Sequence, residues 1–521
     1  MYTYNLGIKF EEIAERYAHK AALKFSWDNT LSYRELNSKA NQVARYLQDN
    51  GLRRNDVVCI SGEKRLFTFA CMLACLKLGV IYSIMDPDSP VERLRKILST
   101  CMPKVFFAGE ELCNQLKTVC TEIRFEALDN KGGIPDKALK GYSEDNLSVT
   151  GSITGTNPAY IMFTSGSTGF PKGALMTHDN VMNFIGWSIE NFNFTSGDIL
   201  TNVNPLYFDN TVFDFYSALF AGASLVPFSK ETVTNPKELI SMVDELKCTS
   251  WFSVPSLLIF LQTMKALDKN NMVSLRQFIF GGEGYPKAKL KGLFDMYSNR
   301  SEIINVYGPT ECTCMCSAYR ISASDFDDLI GFPPLGKIAD NFSYLILDDA
   351  GKKVSDNTTG ELCLMGPNVG KGYYNDPVRT KDSFIQNPYN SNFSEVIYKT
   401  GDLVFYNPED KKIHIVGRKD HQIKHMGYRI ELEEIETALN SLDYISSAAV
   451  IHGDIRGLSH IIAVVCTAEE KHEKEIREDL KQIVPHYMIP TNFHFECSLP
   501  KNQNGKIDRK KLSERYFTSN I

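Results

Sequence analysis

The densest chemistry in the chain lies in Thr164–Gly173, TSGSTGFPKG, directly after the strand-like AYIMF. Hydroxyl residues and glycines lead here into a lysine. Small residues let backbone N–H groups approach an anion, while the hydroxyls and Lys172 add donors and charge. A polyphosphate suits that composition. Gly166 and Lys172 have Walker A separation, but Pro171 takes the second glycine position and Gly173 replaces the Ser/Thr, so the P-loop signature fails. In isolation the stretch reads equally well as a glycine-serine surface turn.

Five further groups stand out. Tyr307–Glu311, YGPTE, joins an aromatic face to a hydroxyl and a carboxylate, suited to a purine and a hard cation. Asp209, in FDNTVFDFYSALFAG, alone reads as an N-capping or turn aspartate. Asp402 follows a glycine in TGDL and alone reads as a turn aspartate. Lys506, near Lys501, Lys510 and Lys511, alone reads as part of a solvated basic tail. Cys312, Cys314 and Cys316 alternate in ECTCMC and would share one face of a strand. No CxxC pair or nearby His completes a tetrahedral metal set, so structural lining is the preferred reading.

These groups need a scaffold, and the first part of the chain alternates helical and strand-like segments. LSYRELNSKANQVARYLQDNG has helical apolar spacing and stops at Gly51; DVVCISG reads as a buried strand and FTFACMLACLKLG as an apolar helix. KVFFAG, AYIMFTSG, SWFSVPSLLIFLQTM and RQFIFGGEG continue the rhythm. The expectation is an α/β architecture (α+β overall) with largely parallel sheets. From about Asn341, strands such as FSYLILDDAGKKV, GELCLMG and HIVGRK are divided by turn dipeptides, indicating a β-rich subdomain over about 341–419. IELEEIETALNSL and EKEIREDLKQIV are helical, and SSAAVIHG and HIIAVVCTA strand-like. With a boundary near Arg418–Asp420, residues 1–419 are expected to form the core and 420–521 a small α+β C-terminal domain.

The 521 residues are 43% hydrophobic and 23% charged, ordinary globular composition, and too many for one simple core. A net charge of −6 argues against a nucleic-acid surface. The opening MYTYNLGIKFEEIAERY carries acids early and does not read as a signal peptide, and no run reaches bilayer-spanning length. A cytoplasmic protein without membrane insertion is the expectation. Thirteen scattered cysteines, with Cys71 and Cys75 at helical spacing, read as buried small hydrophobes.

TSGSTGFPKG resembles the phosphate loop of the acyl-adenylate-forming superfamily of acyl-CoA synthetases, luciferases and peptide-synthetase adenylation domains. LKLGVIYSIMDP near residue 80, NVYGPTE at 305–311, GELCLMGPNVGKGYY at 360–374 and YKTGDL at 398–403 follow in family order. GRKDHQIKHMGYRIELEEIE at 417–436 and PKNQNGKIDRKKL at 500–512 complete a set covering essentially the whole chain.

The resemblance implies ATP and Mg²⁺ as cofactors. It assigns Thr164, Ser165, Gly166, Ser167, Thr168, Gly169, Lys172, Gly282, Glu283, Gly284, Asn305, Tyr307, Gly308, Asp402 and Arg418 to ATP. Tyr307 would flank adenine, Thr310 touch phosphate, Glu311 help hold Mg²⁺, and Asp402 with Arg418 take the ribose. Lys506 would be a mobile catalytic lysine bridging substrate carboxylate and phosphate oxygen, offsetting the repulsion between two anions in the transition state. The C-terminal domain would swing about Asp420, presenting first Lys506 and then Gly427, past which a carrier's thiol arm would run.

The same resemblance makes Asp209 the partner of an amino acid's ammonium group. Asn210, Phe213, Ser253, Ile279, Gly281, Val306, Cys314 and Met315 would line the side-chain end, with Gly281 releasing volume for a small to medium uncharged side chain. Within the superfamily the sequence is most similar to D-alanine–carrier-protein ligases, but Gly281 stands where that group has cysteine, which argues against D-alanine itself. A stand-alone adenylation enzyme of a natural-product pathway is equally compatible. No phosphopantetheine-attachment segment follows NGKIDRKKL, so a separate phosphopantetheinylated carrier protein is the expected partner. An acyl- or aryl-CoA ligase and a non-catalytic nucleotide-binding protein of the same fold are the alternatives, with Asp209 weighing against the first and the retained Lys172, Glu311, Asp402 and Lys506 against the second.

Overall fold

The computed structural model describes residues 3–129, 132–134, 136–166, 169–455, 458–467, 472–501 and 507–517. Helix Leu66–Leu78 shows why the scaffold is layered: its residues from Phe67 to Leu78 are all buried, so no side of it faces solvent. It stops at Gly79, whose φ of +68° is left-handed. Its neighbour Tyr33–Asp49 is amphipathic and starts in a capping box between Ser32 and Glu35.

Two sheets form the body. One runs Arg124–Leu128, Val105–Gly109, Val57–Ser61, Ile81–Met85, Pro158–Thr164, Lys172–Thr177, parallel until its last, antiparallel pair. The other has nine strands, with parallel central members Glu302–Tyr307, Gln277–Gly281, Ser250–Ser253, Ile199–Asn202 and Ser224–Pro227. An α/β fold with crossover connections therefore holds, and the largest core cluster packs helices against both sheets. An antiparallel five-stranded sheet follows, from Ser343–Leu347 to Lys412–Arg418. Beyond it come a hairpin, Gln422–His425 with Tyr428–Glu431, and a three-stranded sheet backed by Leu432–Asn440. Among the described residues no helix is long and apolar enough to cross a membrane.

Lys172 is the first residue of a strand and pairs with Thr164, so the glycine-rich loop closes a β-hairpin. One expectation needs correction. ECTCMC is no strand: Thr310–Cys312 is a 3₁₀ turn, and Thr313 and Cys314 have φ of 59° and 73°. Those left-handed residues break the alternation, turning Cys314 toward the cleft while Cys312 and Cys316 join the core.

Candidate functional site

The expected groups converge because several of them stand at the ends of strands or in the turns that follow. Thr164 ends one strand and Tyr307 another, Asp209 precedes helix Asn210–Phe220, and Asp402 lies within Val396–Asn407. Asp209, Asn210, Phe252, Gly282, Val306 to Thr310, Cys314, Met315, Asp402 and Arg418 line one cleft of about 50 Å³. Its remaining wall is the Gln422–Glu431 hairpin, through Gln422, Lys424, Gly427 and Arg429.

At one end the Tyr307 hydroxyl donates to Asp402 Oδ2, and Arg418 Nη1 donates to Asp402 Oδ1 at 2.8 Å. Arg418 also grips Asp420, at 2.6 and 2.8 Å, tying the strand end to the segment leading into the hairpin. At the other end Thr310 Oγ1 donates to Asp209 Oδ2 at 2.6 Å. Burial raises the Asp209 carboxyl above its ordinary range, against the Thr310 hydrogen bond and the charges of Lys424 and Arg429.

Glu311 is fully buried between the two ends. Its Oε1 accepts from the Tyr373 hydroxyl at 2.8 Å and its Oε2 from Arg429 Nη1 at 2.7 Å. Burial alone would raise this carboxyl, but Arg429, Lys172 and Tyr373 outweigh it and hold it at about 2. One ionised carboxylate beside a phosphate-type loop fits Mg²⁺, which keeps most of its ligands as water and phosphate oxygens.

The loop itself is tight. A Cβ on Gly166 would stand 2.1 Å from the Phe170 carbonyl oxygen, so only glycine fits there. Among the described residues Thr164 Oγ1 is buried without a hydrogen-bond partner, in keeping with a loop built to meet a further acceptor. Ser167, Thr168 and Lys506 lie outside the described residues.

The hairpin docks on this loop. Lys172 Nζ lies 3.1 Å from Glu431 Oε1, the Gly166 N–H donates to Glu434 Oε2 at 3.3 Å, and Ser165 Oγ donates to the Arg429 carbonyl at 2.7 Å. Gly427 (φ +82°) donates its N–H to Glu283 Oε2 at 2.9 Å, and a Cβ there would lie 2.6 Å from Val254 Cγ1. Lys96 Nζ donates to the Gly169 carbonyl at 3.0 Å.

Several expected lining residues stand behind the wall. Phe213 is buried in an aromatic cluster with Phe184, Phe192, Phe194 and Phe252, Ile279 is in the core, and Ser253 accepts from Trp251 Nε1. Gly281 releases no volume: a Cβ there would meet the Val306 carbonyl oxygen at 2.4 Å and Val306 Cγ2 at 2.6 Å. Asn305 donates to the Pro334 carbonyl, and Gly284 packs on Phe332. Sequence reasoning missed Phe252, Tyr373, Lys424, Arg429, Glu431 and Glu434. The last four lie in QIKHMGYRIELEEIE, where alternating cations and carboxylates were the available signal.

Residues 10–374 match the family described as AMP-binding enzyme, and 434–506 its C-terminal domain. The chain is 33% identical over 509 residues to bacitracin synthase 1 of Bacillus licheniformis, a match covering 97% of this chain and 9% of that protein. It is 30% identical to a D-alanine--D-alanyl carrier protein ligase of Bacillus cytotoxicus, covering 94% of this chain and 95% of the relative. It therefore spans about a tenth of the first relative and nearly all of the second. The Vibrio cholerae adenylation domain AlmE, solved with glycyl-adenosine-5'-phosphate, superimposes with a TM-score of 0.79 at 22% identity, over 99% of this chain and 98% of that one. An o-succinylbenzoate CoA synthetase of Bacillus subtilis gives 0.85 at 20%, over 98% and 99%. Both are likenesses of fold. With one matched region alone spanning more than half its residues, the chain belongs to the AMP-binding enzyme family.

Proposed function

We propose that the protein activates an amino acid with ATP, forming an aminoacyl-adenylate, and passes the acyl group to the phosphopantetheine thiol of a separate carrier protein. The carrying observation is that one cleft holds Asp209 at one end and the Tyr307–Asp402–Arg418 cluster at the other. Among the described residues Asp209 forms no ion pair; its partner is the neutral Thr310 hydroxyl. An ammonium group supplies the missing cation, and the similarity to a D-alanine--D-alanyl carrier protein ligase supports the same reading.

In the first half-reaction a carboxylate oxygen forms a bond to the α-phosphorus, and the bond to the β-phosphate bridging oxygen breaks, releasing pyrophosphate. Asp209 holds the ammonium group, Tyr307 and Asp402 the nucleoside, and Thr164–Lys172 the phosphates. Glu311 is the residue that would hold Mg²⁺, which supplies charge neutralisation on the phosphates when bound. Lys506 meets the charge growing between carboxylate and phosphate. In the second half-reaction a thiolate attacks the adenylate carbonyl, AMP leaves and a thioester forms. Gly427, on the hairpin that lines the cleft and packed there against Val254, would flank the path of the arm. Residues 1–419 act as the nucleotide-binding core and 420–521 as the domain that turns about Asp420 between the two steps.

Pyrophosphate exchange with ATP, measured against glycine, the L-amino acids, D-alanine and their des-amino acids, tests this. Exchange driven by at least one amino acid and by none of the des-amino acids is expected. Exchange driven as well by the des-amino acids would replace the reading with an acyl-CoA-type ligase.

A further inference from the structure

Helix Asn210–Phe220 begins directly after Asp209, and its residues from Thr211 to Phe220 are all buried. Asp214 is the only acid among them and is 1% exposed. It follows Asn210 by four residues, so the two share one face of the helix, and Asn210 lines the cleft. Asp214 Oδ2 accepts from Asn202 Nδ2 at 2.9 Å and from Asn204 Nδ2 at 3.0 Å, both asparagines being buried. Asn204 Nδ2 also donates to the carbonyl of Phe252, at 3.1 Å, and Phe252 lines the cleft as well.

Asn202 extends the network in the other direction: its backbone carbonyl accepts from Lys64 Nζ at 2.6 Å. Lys64 follows strand Val57–Ser61 of the six-stranded sheet, and Asn202 ends strand Ile199–Asn202 of the nine-stranded one. The contacts therefore run from one sheet to the other and end on two residues of the cleft wall. Burial pushes the Asp214 carboxyl up and the Lys64 ammonium down, and each is opposed by the charge of the other. A buried ionic group gains little stability, since an apolar residue of similar size costs less to desolvate. It does fix geometry: apolar packing tolerates several close arrangements, whereas one oxygen shared by two amides holds a single register.

We propose that Asp214 is a positioning residue for the amino-acid end of the cleft: through Asn202 and Asn204 it fixes the start of helix Asn210–Phe220 against Phe252, and so sets where Asp209 meets the ammonium group. Lys64 supplies the countercharge across Asn202. The inference rests on the proposed role of Asp209. The nucleotide end is carried by other elements, Tyr307 ending strand Glu302–Tyr307 and Asp402 and Arg418 lying in strands Val396–Asn407 and Lys412–Arg418. Loosening the helix start is therefore felt by the amino acid and not by ATP. A shift of about 1 Å in such a contact costs on the order of 10²-fold in rate.

Steady-state pyrophosphate exchange on the full chain, run with ATP and whichever amino acid of the panel the unaltered protein uses best, separates this from a purely structural role. Asp214→Ala should raise the KM for the amino acid on the order of tenfold or more, with the KM for ATP staying within about twofold. Asp214→Asn keeps an acceptor for both asparagines and should restore most of that loss. Lys64→Met leaves the carboxylate without its countercharge, so the Lys64→Met/Asp214→Asn double variant should use the amino acid better than Lys64→Met alone. That pair carries the test even where Asp214→Ala does not fold. An unchanged amino-acid KM in Asp214→Ala, KM values for both substrates rising together, or a double variant no better than Lys64→Met would overturn the positioning role alone. No exchange with any amino acid in the unaltered chain would overturn the ammonium-site reading of Asp209, and the positioning role with it.

Discussion

Two carboxylates, Asp209 in the cleft wall and Glu311 next to the lining residue Thr310, are treated in opposite ways. Glu311 is saturated: a guanidinium and a phenol hold its two oxygens, Lys172 adds charge nearby, and the carboxyl is held at about 2. Asp209 has a single neutral donor and is pushed upward by burial, with Glu311 itself adding repulsion. Environments that drive two acids apart divide their roles. Glu311 receives its cation from the chain's own hairpin, through Arg429. Under the proposed function Asp209 is the carboxylate left for a cation that arrives with the substrate.

Removing the saturated member should have the largest effect. Glu311→Ala strands Arg429 in a shielded site, at a cost of about 3–5 kcal/mol. A fall in pyrophosphate exchange on the order of 10³-fold, together with a lower denaturation midpoint, is expected. Retained exchange at ordinary Mg²⁺ would end its role as the metal carboxylate.

Asp209→Ala acts on one substrate only. A loss on the order of 10²-fold in kcat/KM for the amino acid is expected, with the KM for ATP little changed. Equal damage to both substrates would mean that Asp209 supports the fold and not the ammonium group.

The pH profile sharpens the contrast. Because burial raises Asp209, its charged form is lost as pH falls through a pKa above the ordinary aspartate range. Amino-acid kcat/KM should therefore drop about tenfold per pH unit on that limb, and Asp209→Asn should remove the limb. Glu311, held at about 2, stays charged over the same range, so the KM for ATP should show no matching limb. A limb surviving in Asp209→Asn would assign it to another group.

The smallest effect belongs to Tyr373. Tyr373→Phe deletes one hydrogen bond to Glu311 while Arg429 remains, and the Mg²⁺ needed for half-maximal exchange should rise about fivefold, matching about 1 kcal/mol. An unchanged Mg²⁺ requirement would make Tyr373 a packing residue.

Much of the scaffold was legible because its signals are local. The apolar helix Leu66–Leu78 and the strands Val57–Ser61 and Gln277–Gly281 announce themselves by composition and period. Asp209, Tyr307, Thr310 and Asp402 were legible only through ordered motifs, since each alone reads as a turn or core residue. What escaped depends on contacts between distant segments. The Gly166–Glu434 bond spans 268 residues and Arg429–Glu311 spans 118. The filling of Gly281 by Val306 depends on two neighbouring strands in register, with Gly281 opposite Val306. No spacing within one segment encodes either.

The most direct measurement compares one amino acid with its own des-amino acid, such as alanine with propionate, as substrates for pyrophosphate exchange in the unaltered protein and in Asp209→Ala. If Asp209 is the ammonium site, the unaltered protein prefers the activated amino acid by about 10²-fold or more, and the variant loses that preference. A preference that survives in Asp209→Ala, or propionate serving the unaltered protein as well as any amino acid does, would contradict the assignment.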